Sequence, residues 1–297
     1  MSITLQINQK ATTIQKEDIF KFQRQTGGGV AANDSNNKKR EPIIYALVNR
    51  LIPDEWFLDE TWGLVNERLH EYLEQNVEAN GDNYECTLLA GRQHNHDFDI
   101  NGEGIEFKFN ARSVTKLTEI YSPPSHKLTF STPYAEFFYD NGYIGAISEL
   151  YSIPAPERAP WLKYIHQINY DKLSWFRDLK INEDVYMNEK KFLVDHSIHT
   201  YLVMVQDSIN FEEITELLMP QREKKFMLYH RGVFYNDVIT EEECTIISLN
   251  SLKGNTEHYN TIVFNTRNET TKMHFLLRWR NHAGILMPMW QIKIVRT

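Results

Sequence analysis

The stretch HDFDINGEGIEFKF, from His96 to Phe109, constrains this chain more tightly than any other. Its centre, Asn101-Gly102, is a strong β-hairpin turn signal, because both central positions of a type I′ turn need positive φ. Before the turn, Phe98 and Ile100 alternate with Asp97 and Asp99. After it, Ile105, Phe107 and Phe109 alternate with Glu106 and Lys108. Side chains alternate faces along a strand, so Glu106 and Lys108 share a face opposite the three apolar residues. A two-residue loop sets Asp97 directly across from Glu106, whereas a four-residue loop sets Asp99 there. Either way two carboxylates and an ammonium converge. Two acids that close repel unless a cation joins them. A hard divalent ion such as Mg²⁺ takes oxygen ligands from one or two carboxylates, so the hairpin is a candidate metal site.

A chain of 297 residues holds one large or two small domains and buries a real core. Its 41% hydrophobic and 24% charged content is ordinary for a globular protein. A formal charge of −8 means that a polyanionic partner would need a local basic face. The two cysteines, Cys86 and Cys244, are too few for a disulfide framework or a cysteine zinc site, which points to a reducing, cytoplasmic compartment. The opening MSITLQINQKATT has no basic start and no long apolar core, so no secretory signal is expected. No apolar run is long enough for a membrane span.

Residues 1–25 read as a strand and then a helix. Gly27-Gly28-Gly29 and AANDSNNKKRE read as a loop, and the lysine spacing of a phosphate-binding loop is absent there. Lys38, Lys39 and Arg40 read as a solvated charge cluster. PIIYALVNRLI, 42–52, reads as a helix with Pro42 in its first turn. From Glu60 to Gln75, Trp62, Val65, Leu69 and Leu73 fall at helical spacing, with Glu67, Glu71 and Glu74 on the other side. TPYAEFFYDNGYIGAISELY reads as two helices joined at Asp140-Asn141-Gly142. IPAPERAP is an extended connection, and residues 161–180 are helical. HTYLVMVQ, 199–206, reads as a buried strand, and INFEEITELLM as a helix. From Arg222 onward, runs rich in β-formers separated by Gly and Asn turns suggest an antiparallel meander. This order, helical then mixed then mostly β, predicts an α+β fold. The expected parts are an N-terminal segment over 1–40, a core over 41–190 and a β-rich C-terminal part over 191–297.

Hydrolysis of a phosphodiester needs an activated water, an offset for the charge of the transition state and a stabilised leaving oxygen, all of which metal ions can supply. A nearby ammonium can orient or deprotonate the water and offset charge. An acid from one strand with E-x-K from its neighbour provides that set. The segment resembles the PD-(D/E)XK nuclease superfamily, which includes many restriction endonucleases and has a mixed four-stranded sheet flanked by helices. The family aspartate falls on Asp97, where His96-Asp97-Phe98 stands for the common P-D-F, and Asp99 is a rival for that role. The family E-x-K falls on Glu106, Phe107 and Lys108. The resemblance implies that Asp97 and Glu106 bind Mg²⁺, with Mn²⁺ able to substitute, and that Lys108 serves the attacking water. It also implies a restriction-endonuclease-like core, DNA as partner, a type II restriction-like activity and a homodimer. It covers residues 60–150 and leaves the C-terminal third unexplained.

Arg112, Lys116, His126 and Lys127, just beyond the hairpin, are candidate contacts to nucleic acid, with Arg278, Trp279, Arg280 and His282 as a second group. His94 and His96 lie beside Asp97 but lack the spacing of an HNH nuclease motif or a marked third iron ligand. His196 and His199, three apart, lack a partner motif. Gly-x-Ser-x-Gly is absent. Tyr134, Phe137, Phe138 and Tyr139 read as core rather than as a base-stacking platform. The bland reading of the hairpin is a solvated strand face whose Glu–Lys pair contributes about 0.2–1 kcal/mol. The functional alternative to a nuclease is a non-catalytic module that binds nucleic acid or protein on the same fold.

Overall fold

The structure is a computed structural model. It describes the chain except residues 24–29, 82, 90–95, 115–131, 168–171, 182–183, 256 and 283–284; the side chains at 30–35, 166, 223, 280–282 and 285–287 lie outside the description as well. The fold is α+β, with three separate sheets among the described residues. The chain divides into two compact units, and both are discontinuous. The first comprises Met1–Val114 and Glu223–Ile239, the second Thr115–Arg222 and Thr240–Thr297. The sequential boundaries expected at 40 and 190 therefore do not follow the compact units: a long insertion separates the last two strands of the first unit from the rest of it.

The first unit opens with a hairpin, β1 (Ser2–Ile7) and β2 (Lys10–Gln15), turned by Asn8 and Gln9 at φ 51° and 63°. The expected single strand is thus two, followed by a short helix α1 (Phe20–Gln23). Helix α2 runs from Val30 to Val48 with Pro42 inside it. The sequence suggested a loop up to residue 41, and tertiary ties account for the difference. Lys39 pairs with Asp18 at 3.3 Å. Arg40 is buried, donates to the Lys21 carbonyl at 2.9 Å and to Asn37 Oδ1 at 2.8 Å, and lies 3.3 Å over the Phe109 ring. Packing of this kind routinely overrides weak helix propensity. So Arg40, read as part of a solvated cluster, is a core residue. Burial lowers its guanidinium pKa to about 10, against smaller raising effects from Tyr229 and Glu41.

Helix α3 (Glu60–Asn76) matches its periodicity. Asp59 caps it by accepting from the Thr61 and Trp62 amides, and Trp62, Val65, Leu69 and Leu73 are buried. Five strands then form the sheet that matters most: β3 (Cys86–Leu88), β4 (Phe98–Ile100), β5 (Glu103–Phe109), β6 (Lys225–His230) and β7 (Val233–Val238), in that spatial order. Neighbours are antiparallel except β5 and β6, which are parallel. A parallel neighbour needs a crossover, and here the second unit is spliced into it. The strands at 225–238 therefore belong to the hairpin's sheet and not to the C-terminal meander. Phe98, Ile100, Ile105, Phe107, Met227 and Tyr229 join residues of α2 and α3 in one apolar core. That core explains why the opposite face of β5 is the one bearing acids.

In the second unit come α4 (Tyr134–Asp140), α5 (Tyr143–Tyr151), α6 (Arg158–His166), α7 (Ser174–Ile181), α8 (Met187–Val205) and α9 (Phe211–Leu218). Helix α6 begins inside the segment expected to be an extended connection. HTYLVMV is the end of α8, not a strand. Tyr201, Leu202 and Val205 are buried while Val203 and Met204 are exposed, a helical rhythm hidden in an apolar run too short to distinguish helix from strand. The short helix α10 (Glu241–Cys244) leads into an antiparallel sheet of β8 (Ile246–Gly254), β9 (Tyr259–Thr266), β10 (Thr271–His282) and β11 (Ile285–Arg296), as the β-rich runs predict. Cys86 and Cys244 are buried free thiols. Among the described residues, no helix is long and apolar enough to cross a membrane.

Candidate functional site

Asn101 and Gly102 adopt φ 52° and 85°, and Ile100 pairs with Glu103, so the loop has two residues. That register sets Asp97 beside Glu106. The Asp97 amide donates to the Ile105 carbonyl at 3.0 Å, and the Phe107 amide donates to Asp97 Oδ2 at 2.9 Å. Asp99, the rival aspartate, lies opposite Gly104 and spends Oδ1 on the Gly102 amide at 2.9 Å. Its local role is to close the turn.

Glu106 is 8% exposed, unusual for a carboxylate on a strand. Lys108 makes an ion pair with it. Asp97 is also poorly solvated. Burial first, and the charge of Glu106 second, raise its carboxyl to about 6; Lys108, the Phe107 amide and Lys224 pull the other way. Two acids held this way are under mutual repulsion in a poorly solvated place.

Lys224 is the residue that sequence reasoning missed. It immediately precedes β6, 7% exposed, beside the strand carrying Glu106. Burial lowers its ammonium pKa; Glu106, Lys108 and Asp97 also act on it. The adjacent Lys225 pairs instead with Glu103 on the opposite side of the sheet. Only the parallel pairing of β5 with β6 brings Lys224 to the acids, and no local pattern announces such a pairing. Gly104 was missed as well. A Cβ there would come within 2.7–2.9 Å of the His96 imidazole, so the glycine gives that ring its place beside Asp97.

The other expected contacts divide. Arg112 is exposed, near the end of β5. Lys116, His126 and Lys127 lie outside the described residues, as does His94. In the second group, Arg278 and Trp279 are half-buried: Trp279 Nε1 donates to the Tyr134 hydroxyl at 3.1 Å, and its ring packs against Phe138, Trp175 and Phe176, while the side chains of Arg280 and His282 lie outside the description. Tyr134, Phe137 and Phe138 are core residues, as expected.

Among the described residues, no group of three or more His, Cys, Asp or Glu side chains is arranged to hold a metal. The hairpin offers two carboxylates. Mg²⁺ keeps several of its waters and is commonly bound through one or two carboxylates, so the donor set is compatible with that ion and poor for zinc. No protein-family model, curated protein or solved structure matches the chain.

Proposed function

We propose that this protein is a Mg²⁺-dependent nuclease that hydrolyses DNA phosphodiester bonds, a restriction-like endonuclease of the PD-(D/E)XK kind. The observation that carries the reading is the pair of a half-buried Asp97 and a buried Glu106 on neighbouring strands, with Lys108 ion-paired to Glu106 and Lys224 at the start of the next strand. A purely structural arrangement has little reason to hold two repelling acids side by side where water is scarce. The mixed sheet that bears an aspartate on one strand and E-x-K on the next supports the same reading.

In this reading Asp97 and Glu106 hold Mg²⁺, with Mn²⁺ an adequate substitute. The bound ion would lower the pKa of a coordinated water and offset charge on the phosphate. Lys108, 36% exposed along its side chain, faces solvent enough to orient an incoming water and to offset charge in the transition state. Lys224, poorly solvated at the start of the neighbouring strand, adds a second amine that acts on both acids. Glu106 holds Lys108 in place through their ion pair. DNA is the proposed partner and a homodimer the proposed assembly; the two free thiols suit a reducing, intracellular setting.

The test is cleavage of supercoiled and linear DNA by the purified protein with Mg²⁺, beside Glu106→Gln and Lys108→Gln. The wild type nicks or cuts, and each variant loses about 100-fold or more, as expected for groups acting in the transition state. Equal cleavage by all three would falsify the assignment of activity to this site. A wild type that cuts no DNA would leave the binding-module reading.

A further inference from the structure

The Glu106 strand leads to a second cluster at its far end. Beyond Phe109 the chain leaves the extended conformation at Asn110, φ 59°, and Asn110 Oδ1 lies 3.0 Å from His230 Nδ1. The contact ties the end of β5 to the end of β6. The Ala111 amide reinforces it by donating to the Tyr229 carbonyl at 3.2 Å. Arg231 and Gly232, at φ 50° and 84°, then make the tight turn into β7. Arg112 and Arg231 are both exposed. Desolvation first, then the Arg112 and Arg231 guanidiniums, lower the His230 imidazole below the ordinary histidine value. The tied strand ends thus bring two exposed arginines to one edge of a chain whose net charge is −8. Like charges gathered this way are unfavourable on their own and suit an anionic partner.

The distance is informative. A strand advances about 3.3 Å per residue, so the cluster lies roughly 10–20 Å along β5 from Glu106. DNA carries a phosphate per strand about every 3.4 Å of helix axis. A backbone with one phosphate at the acid pair therefore offers further phosphates at that distance. We propose that Arg112 and Arg231, braced by the Asn110–His230 contact, form an edge that grips the DNA backbone a few nucleotides from the phosphate being cut. The inference rests on the nuclease reading for its substrate. It adds the direction in which DNA leaves the site and a second pair of contacts for it. Neither arginine touches the reacting atoms; both act as positioning residues.

The edge is tested by binding, kept apart from cleavage. Fluorescence anisotropy of a labelled mixed-sequence DNA duplex is followed in EDTA over a series of salt concentrations. The comparison is between wild type, Arg112→Gln/Arg231→Gln and the charge-matched control Lys10→Gln/Lys253→Gln, whose lysines are exposed elsewhere. The arginine variant is expected to bind about tenfold or more weakly, with a salt slope shallower by about 1 to 2, while the control stays near wild type. A wild type that does not bind, an arginine variant with unchanged affinity and slope, or an equal loss in the control overturns the proposal. Wild-type binding that depends on the arginines, without any cleavage in Mg²⁺, removes the nuclease reading and leaves the edge standing. Cleavage that persists with binding indifferent to the arginines does the reverse.

Discussion

Two poorly solvated carboxylates, one in each unit, differ in how fully the chain itself satisfies them. Glu243, in α10, is 4% exposed and surrounded by donors. Arg296 reaches it through Nε at 2.6 Å and Nη2 at 3.0 Å, the Thr240 amide at 3.0 Å and the Thr271 hydroxyl at 3.2 Å. Burial works to raise its pKa, yet Arg296, Thr240 and Thr271 together hold it below the ordinary glutamate value. Asp97 has the same burial problem and the opposite outcome. Its neighbour across the strand is another acid, and its carboxyl is raised to about 6. Buried charges are normally paired and hydrogen-bonded. The Glu243 site meets that rule within the chain. The Asp97–Glu106 site meets it only in part, which is the condition expected where a cation from outside completes the set.

The comparison makes predictions of opposite sign. The largest is Glu243→Ala, which strands Arg296 and costs about 3 kcal/mol, read as a shift in the urea or thermal midpoint. A loss below about 1 kcal/mol would mean that the Glu243 network is decoration. Asp97→Asn should act the other way. Its folded pKa, about 6, lies above the ordinary 3.8, so no penalty exists below pH 3.8, where both states are protonated. Stability then falls as pH rises towards 6, because the unfolded chain ionises first. Asparagine removes that penalty. The variant should be more stable by about 2 kcal/mol at pH 7.5, with the gain fading towards pH 4. A variant that is less stable at pH 7.5 would place Asp97 in the same class as Glu243.

Gly104→Ala is smaller. The new methyl meets the His96 ring at under 3 Å, so the ring must swing away, at about 1 kcal/mol. A crystal structure of the variant should show His96 displaced and the strand pairing intact. The weakest effect belongs to His199 in α8, whose Nδ1 accepts the Tyr259 amide at 3.0 Å and so must be unprotonated. Desolvation, then His258 and His196, lower its pKa. A histidine lowered in the folded state loses stability as pH falls through its ordinary value, near 6.5, towards the folded one. Replacing it with Gln should flatten this part of the acid-side decline, and an unchanged pH profile would show that the contact is immaterial.

What the sequence disclosed follows a physical line. The hairpin and its shared face were legible, because Asn-Gly favours a tight turn and alternation fixes which side chains lie together. The choice between Asp97 and Asp99 needed the loop length, which only the structure supplies. Helix α3 was legible for the same reason of strict periodicity. Lys224 was not, since its place depends on a parallel pairing across the whole inserted unit. Arg231 and His230 join Arg112 by that same pairing. Helix α2 before Pro42 and the end of α8 were misread because their local composition is loop-like in one case and strand-like in the other, and tertiary packing decided both. His196 and His199 gained a neighbour that spacing alone did not show, His258, with ring centroids at 5.9 and 5.7 Å.

The most direct test of the central claim is the titration of the Asp97 side-chain carboxyl by carbon-13 NMR, without and with Mg²⁺. The account predicts a pKa near 6 in EDTA, falling by about one unit or more when Mg²⁺ is added, because a cation stabilises the charged form. An ordinary aspartate titration in EDTA, or a raised one that Mg²⁺ leaves where it was, would contradict it.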